Sequence, residues 1–212
     1  MRLLDLFCGA GGAAVGYSRA GFGEIVGVDH LPQPRFPFEF IQADALEFVA
    51  EHGREFDVIH ASPPCQAYSH QSNCRPGNEY PDLISATRDA ILETGKPYVI
   101  ENVSSARSRL QCAIMLCGKT FGLKVYRHRW FECRPFFLAP AHIAHRDSTP
   151  RSGRGPSPKG FWSIAGKGGR TGTKEGWAKA MDIDWMTLIE LAQAIPSAYT
   201  EWLGRRILEA AS

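Results

Sequence analysis

A cysteine on a proline-rich turn is the residue of this sequence with the clearest chemical potential. The segment SPPCQ (residues 62–66) follows the apolar run VIHA (residues 58–61). Because proline fixes φ and cannot continue a central strand, this pattern predicts a strand that ends here and a loop that carries Cys65. Ligands of open α/β sheets bind at the carboxyl ends of strands, so Cys65 is a candidate nucleophile. From these residues alone, a small cysteine buried for packing remains the alternative.

A second titratable residue, Glu101, ends the next predicted strand along the chain. Residues 98–100 (YVI) are aromatic or β-branched, which favours a strand. Consecutive strands of a βαβ arrangement are usually neighbours in the sheet, so we expect Glu101 and Cys65 to face one cleft. Further on, Arg127 and Arg129 lie on a stretch whose alternation is typical of a strand or hairpin.

A glycine-rich turn near the start of the chain predicts a nucleotide-binding unit. Residues 8–12 (CGAGG) lie between a predicted strand and a predicted helix. Glycines let the backbone approach a ligand closely, and a helix N-terminus offers free N–H groups to an anionic group. The next strand ends in Asp29, which can accept hydrogen bonds from ribose hydroxyls or act as a turn residue. Asp44 precedes another helix as its N-cap, a role compatible with a contact to an adenine amino group.

The elements that must position these residues alternate in the order of an α/β fold. Strands are predicted at residues 3–7, 24–28, 39–42, 57–61, 98–100 and 123–132, and helices at 13–20, 45–52, 82–94, 111–116, 177–181, 186–195 and 198–211. The polar stretch 67–81 has no apolar period and predicts a long functional or mobile loop. We expect an α/β domain over residues 1–133, a small basic region over 134–180 and C-terminal helices over 181–212 that pack back on the first domain.

The net charge of +2 conceals an uneven distribution along the 212 residues. The stretch from His142 to Lys179 carries eight arginines or lysines and two acidic residues, so the rest of the chain is net acidic. A local basic zone on an acidic body indicates a polyanionic partner that is contacted by one region. A solvated, glycine-rich loop is the alternative.

The six cysteines do not follow the usual metal-binding patterns. None forms a CxxC pair and no histidine pair flanks them at zinc-finger spacing, so we expect neither a structural zinc site nor another metal site. No run approaches the roughly 20 apolar residues of a membrane helix, and the first residues lack the apolar region of a signal peptide. These features lead us to expect an intracellular protein with free thiols.

Four motifs, in this order, resemble those of the cytosine-5 DNA methyltransferases. They are DLFCGAGG (residues 5–12), PPCQ (63–66), ENV (101–103) and RHR (127–129). The later segment AIPSAYTE (194–201) is similar to the C-terminal segment of short, phage-type members. The resemblance implies a Rossmann-like, S-adenosylmethionine-dependent methyltransferase fold with a small, irregular C-terminal recognition lobe. This sequence departs from typical members in size, because its target-recognition region is too small for an independent core.

The resemblance also implies a reaction. Cys65 would add as a thiolate to carbon 6 of cytosine, which makes carbon 5 nucleophilic toward the methyl group of S-adenosylmethionine and leaves S-adenosylhomocysteine. Because a free thiol is mostly protonated at neutral pH, Cys65 would need a positive environment that lowers its pKa. Glu101 would hydrogen-bond or protonate ring nitrogen 3, and Arg127 and Arg129 would lie near the cytosine carbonyl oxygen and the nucleophile.

The implied ligands follow from the same resemblance. Cofactor contacts would come from Phe7, Gly9, Gly11, Gly12, Asp29 (ribose), Asp44 (adenine) and Pro64 (near the methyl group). Phosphate contacts would come from Arg151, Arg154, Lys159, Lys167 and Arg170. The partner would be DNA, double-stranded and with its target base flipped out, in a bacterial or phage-infected cytoplasm. RNA, single-stranded DNA or a free nucleotide remains an alternative substrate. A binding module without catalysis remains an alternative function. A nicotinamide oxidoreductase would leave Cys65 and Glu101 unexplained.

Overall fold

A computed structural model describes residues 1–65, 82–145, 155–164 and 172–211 of the chain. Its strands are β1 (Arg2–Leu6), β2 (Glu24–Asp29), β3 (Glu39–Gln42), β4 (Val58–Ala61), β5 (Tyr98–Asn102), β6 (Ile114–Leu116) and β7 (Arg129–Arg134). Its α-helices are α1 (Gly12–Ala20), α2 (Ala45–His52), α3 (Leu83–Leu92), α4 (Lys174–Met181), α5 (Leu188–Gln193) and α6 (Ser197–Ala210). None of the helices in these ranges combines the length and apolar composition that crossing a bilayer would require.

The strands form one seven-stranded sheet in the order β3-β2-β1-β4-β5-β7-β6. The first five strands in this order pair in parallel, whereas β7 is antiparallel to both β5 and β6. Ala61, the last residue of β4, pairs with Ile100 of β5. The predicted α/β class and the predicted pairing of these two strands are therefore confirmed, and the chain leaves both strands at the same edge of the sheet.

Both faces of the sheet are covered by helices, which explains why its inner strands are apolar along their length. One face packs Leu3 of β1 against Tyr17 of α1 and Leu203 of α6. The other face packs Leu4 against residues of α2 and α3, among them Val49 and Ile84. Because both faces are covered, a ligand can approach the sheet at the ends of its strands. The candidate site residues lie at the carboxyl ends.

The C-terminal helix α6 lies directly on α1. Gly16 leaves no room for a Cβ atom, because Thr200 Oγ1 and the Ser197 carbonyl oxygen occupy that space. The Thr200 hydroxyl donates to the Ala13 carbonyl oxygen at 2.8 Å, and the Ser197 hydroxyl donates to the Gly12 carbonyl oxygen at 2.9 Å. Helix α6 therefore holds the first turn of α1, which follows the glycine turn.

Two sequence-based predictions about local structure are wrong. Residues 111–116 contain strand β6 rather than a helix, because Ile114 pairs with Phe131 and Leu116 pairs with Arg129 across the sheet. The strand predicted over 123–132 begins only at Arg129 and extends to residue 134. In both cases the pairing with a distant strand decides the conformation of a short apolar segment.

Candidate active site

The turn that carries Cys65 is fastened to two strands. The Ser62 amide donates to the Leu6 carbonyl oxygen of β1 at 3.2 Å. The Asn102 side-chain amide of β5 donates to the Pro63 carbonyl oxygen at 2.9 Å. Cys65 is half-buried and is the last described residue before the gap at 66–81. The two hydrogen bonds therefore fix the position of the thiol relative to the end of β5.

Glu101 lies on β5 and its side chain is 8% exposed. Its Oε1 atom is 3.0 Å from Nε of Arg129, yet no residue in the described ranges makes an aligned hydrogen bond to this oxygen. The contact is therefore an ion pair that leaves a buried oxygen available. Burial raises the pKa of Glu101, while Arg129, Arg127 and a hydrogen bond from Ser62 oppose part of this effect.

Burial also dominates the electrostatics of the candidate nucleophile. It raises the pKa of the Cys65 thiol above its ordinary value, and the Glu101 carboxylate adds to this effect. Arg129 and Arg127 lower the pKa, but by less than burial raises it. The sequence predicted a positive environment that activates the thiol. The arginines are present, but burial disfavours the thiolate by more than the two arginines favour it.

The two arginines have different surroundings, although both were predicted to lie near the nucleophile. Arg129 meets Glu101, as described above. The guanidinium of Arg127 instead donates to the carbonyl oxygens of Ala194, Ile164 and Ala192 at 2.7, 3.0 and 2.8 Å. Its backbone has a φ of +36°, a strained value for a side chain of this size. The described contacts of Arg127 therefore join the sheet to the C-terminal segments.

A buried hydrogen-bond chain lies behind Glu101, and sequence reasoning did not find it. The Tyr17 hydroxyl lies 3.0 Å from Nδ1 of His60, and Nε2 of His60 lies 3.0 Å from the Ser62 hydroxyl. Ser62 in turn bonds Glu101. Burial lowers the pKa of His60 to about 3, so the imidazole is neutral. The signal in the sequence was a histidine within an apolar strand, which is not specific enough to assign a role.

The glycine turn joins β1 to α1 and is held by Asp29. The Gly9 amide donates to Oδ2 of Asp29 at 3.1 Å, and the Leu31 amide donates to Oδ1 at 3.0 Å. Phe7 has a φ of +57°, a strained conformation of the kind that clusters at ligand sites. A Cβ atom on Gly9 would meet nothing within 4 Å. Gly9 therefore borders open space beside a carboxylate, as a nucleotide site requires.

The other two glycines of the turn have packing reasons of their own. A Cβ atom on Gly11 would lie 2.7 Å from Cδ of Pro37, and one on Gly12 would lie 2.7 Å from the Ile195 carbonyl oxygen. The space beside each glycine is thus occupied by this chain. These contacts explain why both positions require glycine, and the predicted contact of their backbones with a cofactor stays a prediction.

Asp44 lies at the N-terminus of α2 and Pro64 lies on the turn that carries Cys65, as the sequence predicted. Oδ1 of Asp44 accepts hydrogen bonds from the Leu46 and Glu47 amides at 2.8 and 3.0 Å, which confirms the predicted N-cap. Pro64 is half-buried and directly precedes the thiol. An adenine contact of Asp44 stays a prediction, as does packing of Pro64 on a cofactor.

One connection to the glycine turn was not predicted. Trp185, between α4 and α5, donates its indole N–H to the Ala10 carbonyl oxygen at 2.8 Å. Ala10 belongs to a buried cluster with Val125 and with Trp177 of α4. The C-terminal region therefore contributes a side chain to the wall of the turn, although no motif in the sequence marked it.

Most of the predicted phosphate contacts lie outside the described residues. These are Arg151, Arg154, Lys167 and Arg170. Lys159 is described and lies exposed on a turn that is closed by a hydrogen bond from the Gly160 amide to the Ser157 carbonyl oxygen at 2.8 Å. All five phosphate contacts stay predictions.

Comparisons with known proteins relate this arrangement to an enzyme family. The model of the C-5 cytosine-specific DNA methylase family matches residues 1–111. Type II methyltransferase M.FnuDI of Fusobacterium nucleatum is 31% identical over 117 residues, which cover 51% of this chain and 34% of that protein. Type II methyltransferase M.AgeI of Thalassovita gelatinovora is 30% identical over 119 residues, which cover 49% of this chain and 28% of that protein. The chain therefore spans about a third of the length of these relatives.

A solved structure extends the similarity of fold to nearly the whole chain. It is described as a DNA modification methyltransferase encoded within a prophage (E. coli). The two chains share 13% identity with a TM-score of 0.62, and the match covers 99% of each. At this identity the likeness concerns the fold, and it confirms the expected Rossmann-like methyltransferase fold.

Proposed function

We propose, from the premise that this chain belongs to the C-5 cytosine-specific DNA methylase family, that it transfers a methyl group from S-adenosylmethionine to carbon 5 of a cytosine in DNA. One observation carries the proposal. The Cys65 turn follows β4, Glu101 lies near the carboxyl end of the neighbouring parallel strand β5, and Asn102 holds the turn to β5 through Pro63. A nucleophile and a proton donor at such an edge suit addition to a ring that must be protonated as it is attacked.

We assign the addition step to Cys65 and Glu101. The Cys65 sulfur bonds to carbon 6 of the ring as the thiol proton passes to solvent water. Glu101 donates a hydrogen bond or a proton to nitrogen 3, so the electron pair of the broken double bond becomes available at carbon 5. The raised pKa of Glu101 supports this role, because it favours the protonated carboxyl, which can donate. After methylation, solvent water takes the carbon 5 proton, the double bond between carbons 5 and 6 re-forms and the Cys65 thiolate leaves. Any proton that Glu101 gave to nitrogen 3 returns to its carboxylate.

Arg129 and Arg127 receive different roles in the proposal. Arg129 contacts Glu101 and favours the thiolate form of Cys65, so we assign it to the cytosine carbonyl oxygen and the nucleophile. Arg127 is a positioning residue, because its described donors are used by carbonyl oxygens of the C-terminal segments. It holds the strand that carries Arg129 against those segments.

The residues of the glycine turn fit S-adenosylmethionine, which supplies an electrophilic methyl group when bound. Gly9 borders open space, Asp29 lies beside it and Phe7 is held in a strained turn. We propose that Phe7, Gly9, Gly11 and Gly12 line this cofactor with their backbone, that Asp29 accepts from its ribose and Asp44 from its adenine, and that Pro64 packs near the methyl group. The Asp29 and Asp44 carboxylates already bond backbone amides, which orients them.

We propose double-stranded DNA as the substrate, with the target base flipped into the site because a stacked base hides its ring face. The α/β domain over 1–133 would carry the chemistry, and the basic region over 134–180 would hold phosphates. The C-terminal helices over 181–212 would support the cofactor turn. The contacts of α6 with α1 and of Trp185 with Ala10 support the last role.

The test uses DNA amplified with 5-fluorodeoxycytidine triphosphate in place of the natural nucleotide, so that every recognition sequence is present. Fluorine at carbon 5 blocks the final elimination. In the presence of S-adenosylmethionine we expect a protein–DNA adduct that survives denaturing electrophoresis. Cys65→Ser should form none, whereas Cys112→Ser, which changes an exposed cysteine, should form it as the wild type does.

Parallel reactions with unmodified duplex DNA, single-stranded DNA, transfer RNA and dCMP identify the substrate by transfer of a radioactive methyl group. Methylation of duplex DNA supports the proposal. Transfer only to RNA or to dCMP would overturn the assignment of the substrate. Absence of both transfer and adduct with every substrate would overturn the assignment of the activity.

A further inference from the structure

Four side chains that bind transition metals converge away from the Cys65 site. Cys117 follows β6, His128 precedes β7, and His142 and His145 lie beyond the end of β7. Each offers one ligand atom, and these atoms all lie within 4.8 Å of one another. The convergence depends on three chain segments, which is why CxxC spacing did not reveal it.

The cysteine and the three imidazole rings lie in close contact. Sγ of Cys117 lies 3.2 Å from Nε2 of His145. The rings of His128 and His145 are stacked with centroids 4.8 Å apart, and the His142 ring is tilted toward both at 5.4 and 4.9 Å. Three imidazoles this close cannot all be protonated without repulsion, whereas a cation accepts a lone pair from each.

One ring nitrogen of the cluster lacks the partner that burial normally demands. Nε2 of His128 is shielded from solvent and has no hydrogen-bond partner anywhere in the part of the chain that the structure describes. A buried polar atom without a partner destabilises the folded state, because it has lost its hydrogen bonds to water. A metal ion among the four side chains would remove this destabilisation.

We propose that Cys117, His128, His142 and His145 bind one Zn²⁺ ion. A thiolate with three imidazoles suits zinc, whereas magnesium and calcium prefer oxygen ligands. Bond lengths of about 2.3 Å to sulfur and about 2.0 Å to nitrogen place the four tetrahedral ligand atoms about 3.3–3.5 Å apart. The Cys117–His145 contact of 3.2 Å is close to this separation. A pair at the 4.8 Å limit needs to close by about 1.5 Å at most. Four protein ligands leave no open position, so the site is structural.

The ion would fasten the proposed active site to the recognition region. His128 lies between Arg127 and Arg129, and His142 and His145 lie at the start of the basic stretch. Two further contacts follow the same path: Lys119 donates to the Ala144 carbonyl oxygen at 2.9 Å, and Tyr126 stacks on His145 with centroids 3.7 Å apart. A region too small for its own core is the kind that a metal ion commonly stabilises.

The first experiment measures zinc in protein that is expressed without a histidine tag and dialysed against metal-free buffer. We expect roughly one equivalent of zinc per chain in the wild type and a clear loss in Cys117→Ser and His142→Ala. His142 is exposed, so its variant should fold even if the buried cysteine cannot be replaced. Cys112→Ser and His52→Ala, which lie outside the cluster, should retain the metal.

The second experiment replaces zinc with Co²⁺ and reads the ligands directly. We expect the intense visible bands of tetrahedral cobalt and a thiolate charge-transfer band in the wild type and in Cys65→Ser. Cys117→Ser should lose the charge-transfer band. A protein that takes up neither metal, or a cobalt spectrum that is unchanged in both Cys117→Ser and His142→Ala, would overturn the proposal. Because Cys65→Ser keeps the metal but forms no DNA adduct, failure of this site and failure of the proposed activity are distinguishable.

Discussion

At the scale of single residues, burial favours the neutral form of both proposed reacting groups. Cys65 and Glu101 each have a pKa above the ordinary value, and in each case burial is the largest cause. The raised pKa helps Glu101, whose proposed task is to donate. It hinders Cys65, whose proposed task requires the thiolate. Two effects would therefore promote loss of the Cys65 proton. Arg129 favours the thiolate, and the sulfur bonds to carbon 6 as the proton leaves.

Alkylation of Cys65 by iodoacetamide should show this ionisation. Because the pKa is raised, the rate should keep increasing with pH beyond the range in which an ordinary cysteine levels off. Arg129→Ala removes a charge that lowers the pKa, so it should slow labelling at every pH below the plateau, whereas Arg129→Lys should do so less. Mass spectrometry of the Cys65 peptide measures the rate, with exposed Cys112 as internal reference. A Cys65 rate that levels off at a lower pH than the rate of a free thiol such as glutathione would contradict the raised pKa.

Replacement of Glu101 should separate activity from stability. Glu101→Gln should lower methyl transfer by roughly 10²–10⁴-fold, because the amide cannot transfer a proton. A raised folded-state pKa adds stability below the ordinary pKa that is lost as pH rises through the folded value. The free energy of unfolding should therefore fall more steeply with pH in the wild type than in Glu101→Gln across that range. Urea denaturation at several pH values measures this difference, and parallel curves would argue against a raised pKa.

At the scale of elements, a buried ion pair positions the strand that carries Arg129. Arg88 of α3 and Glu132 of β7 are 7% and 3% exposed and make two hydrogen bonds of 2.7 Å. The Tyr98 hydroxyl and the Gln111 amide also donate to Glu132, at 2.9 and 2.7 Å. The antiparallel strand is thus tied to a helix and to β5 beside it.

Removal of one partner of this pair should be costly. Arg88→Ala should lower the free energy of unfolding by roughly 3–5 kcal/mol, because Glu132 is left as a buried and unpaired charge. The double variant Arg88→Met, Glu132→Leu should recover much of that loss, since it removes both charges. Equilibrium denaturation in urea measures both values. An Arg88→Ala protein as stable as the wild type would show that the pair does not hold β7.

The contact between α1 and α6 depends on a glycine at the point of closest approach. Gly16→Ala should destabilise the protein by about 1–3 kcal/mol, because its methyl group would collide with Thr200 and with backbone atoms of α6. Gly23→Ala is the matched control, since a Cβ atom there meets nothing within 4 Å. Thermal unfolding compares the two. Equal melting temperatures would contradict the tight packing of the helices.

At the scale of the whole molecule, the proposed chemistry and the proposed DNA binding belong to different parts of the chain. The sheet edge carries Cys65 and Glu101, while the region beyond β7 carries the excess of basic residues. Arg127 and α6 connect the two parts, since Tyr199 of α6 donates to the Arg127 carbonyl oxygen at 2.9 Å. Binding of DNA by the basic region would thereby act on the segment that carries Arg129.

Neutral replacements in the basic region should weaken DNA binding through electrostatics. Changing Arg151, Arg154, Lys167 and Arg170 to glutamine should lower affinity for all sequences and reduce the salt slope by about 1 for each lost phosphate contact. Fluorescence anisotropy at several salt concentrations measures the slope. Binding of S-adenosylmethionine, followed by calorimetry, should not change. An unaltered salt slope would exclude these residues from the phosphate contacts.

Local chemistry was sufficient for a large part of the structure. Strand β3 and helix α2 have the predicted bounds, because a capping aspartate and a short alternating run act over a few residues. The glycine turn and the proline-rich turn are equally local, since glycine and proline restrict or free the backbone wherever they occur. Together with the pairing preference of consecutive strands, these signals were enough to predict that Cys65 and Glu101 lie at the same edge of the sheet.

Tertiary structure alone decided the features that depend on distant neighbours. Residues 114–116 became a strand because β7 lies beside them. Burial reversed the expected direction of the Cys65 pKa, and Arg127 donates to carbonyl oxygens of the C-terminal segments whereas Arg129 contacts Glu101. The cluster of Cys117 with three histidines arises from three segments whose approach no local pattern encodes. Residue types and short-range spacing thus determined which chemistry the chain carries, whereas packing determined the ionisation and the partners of each group.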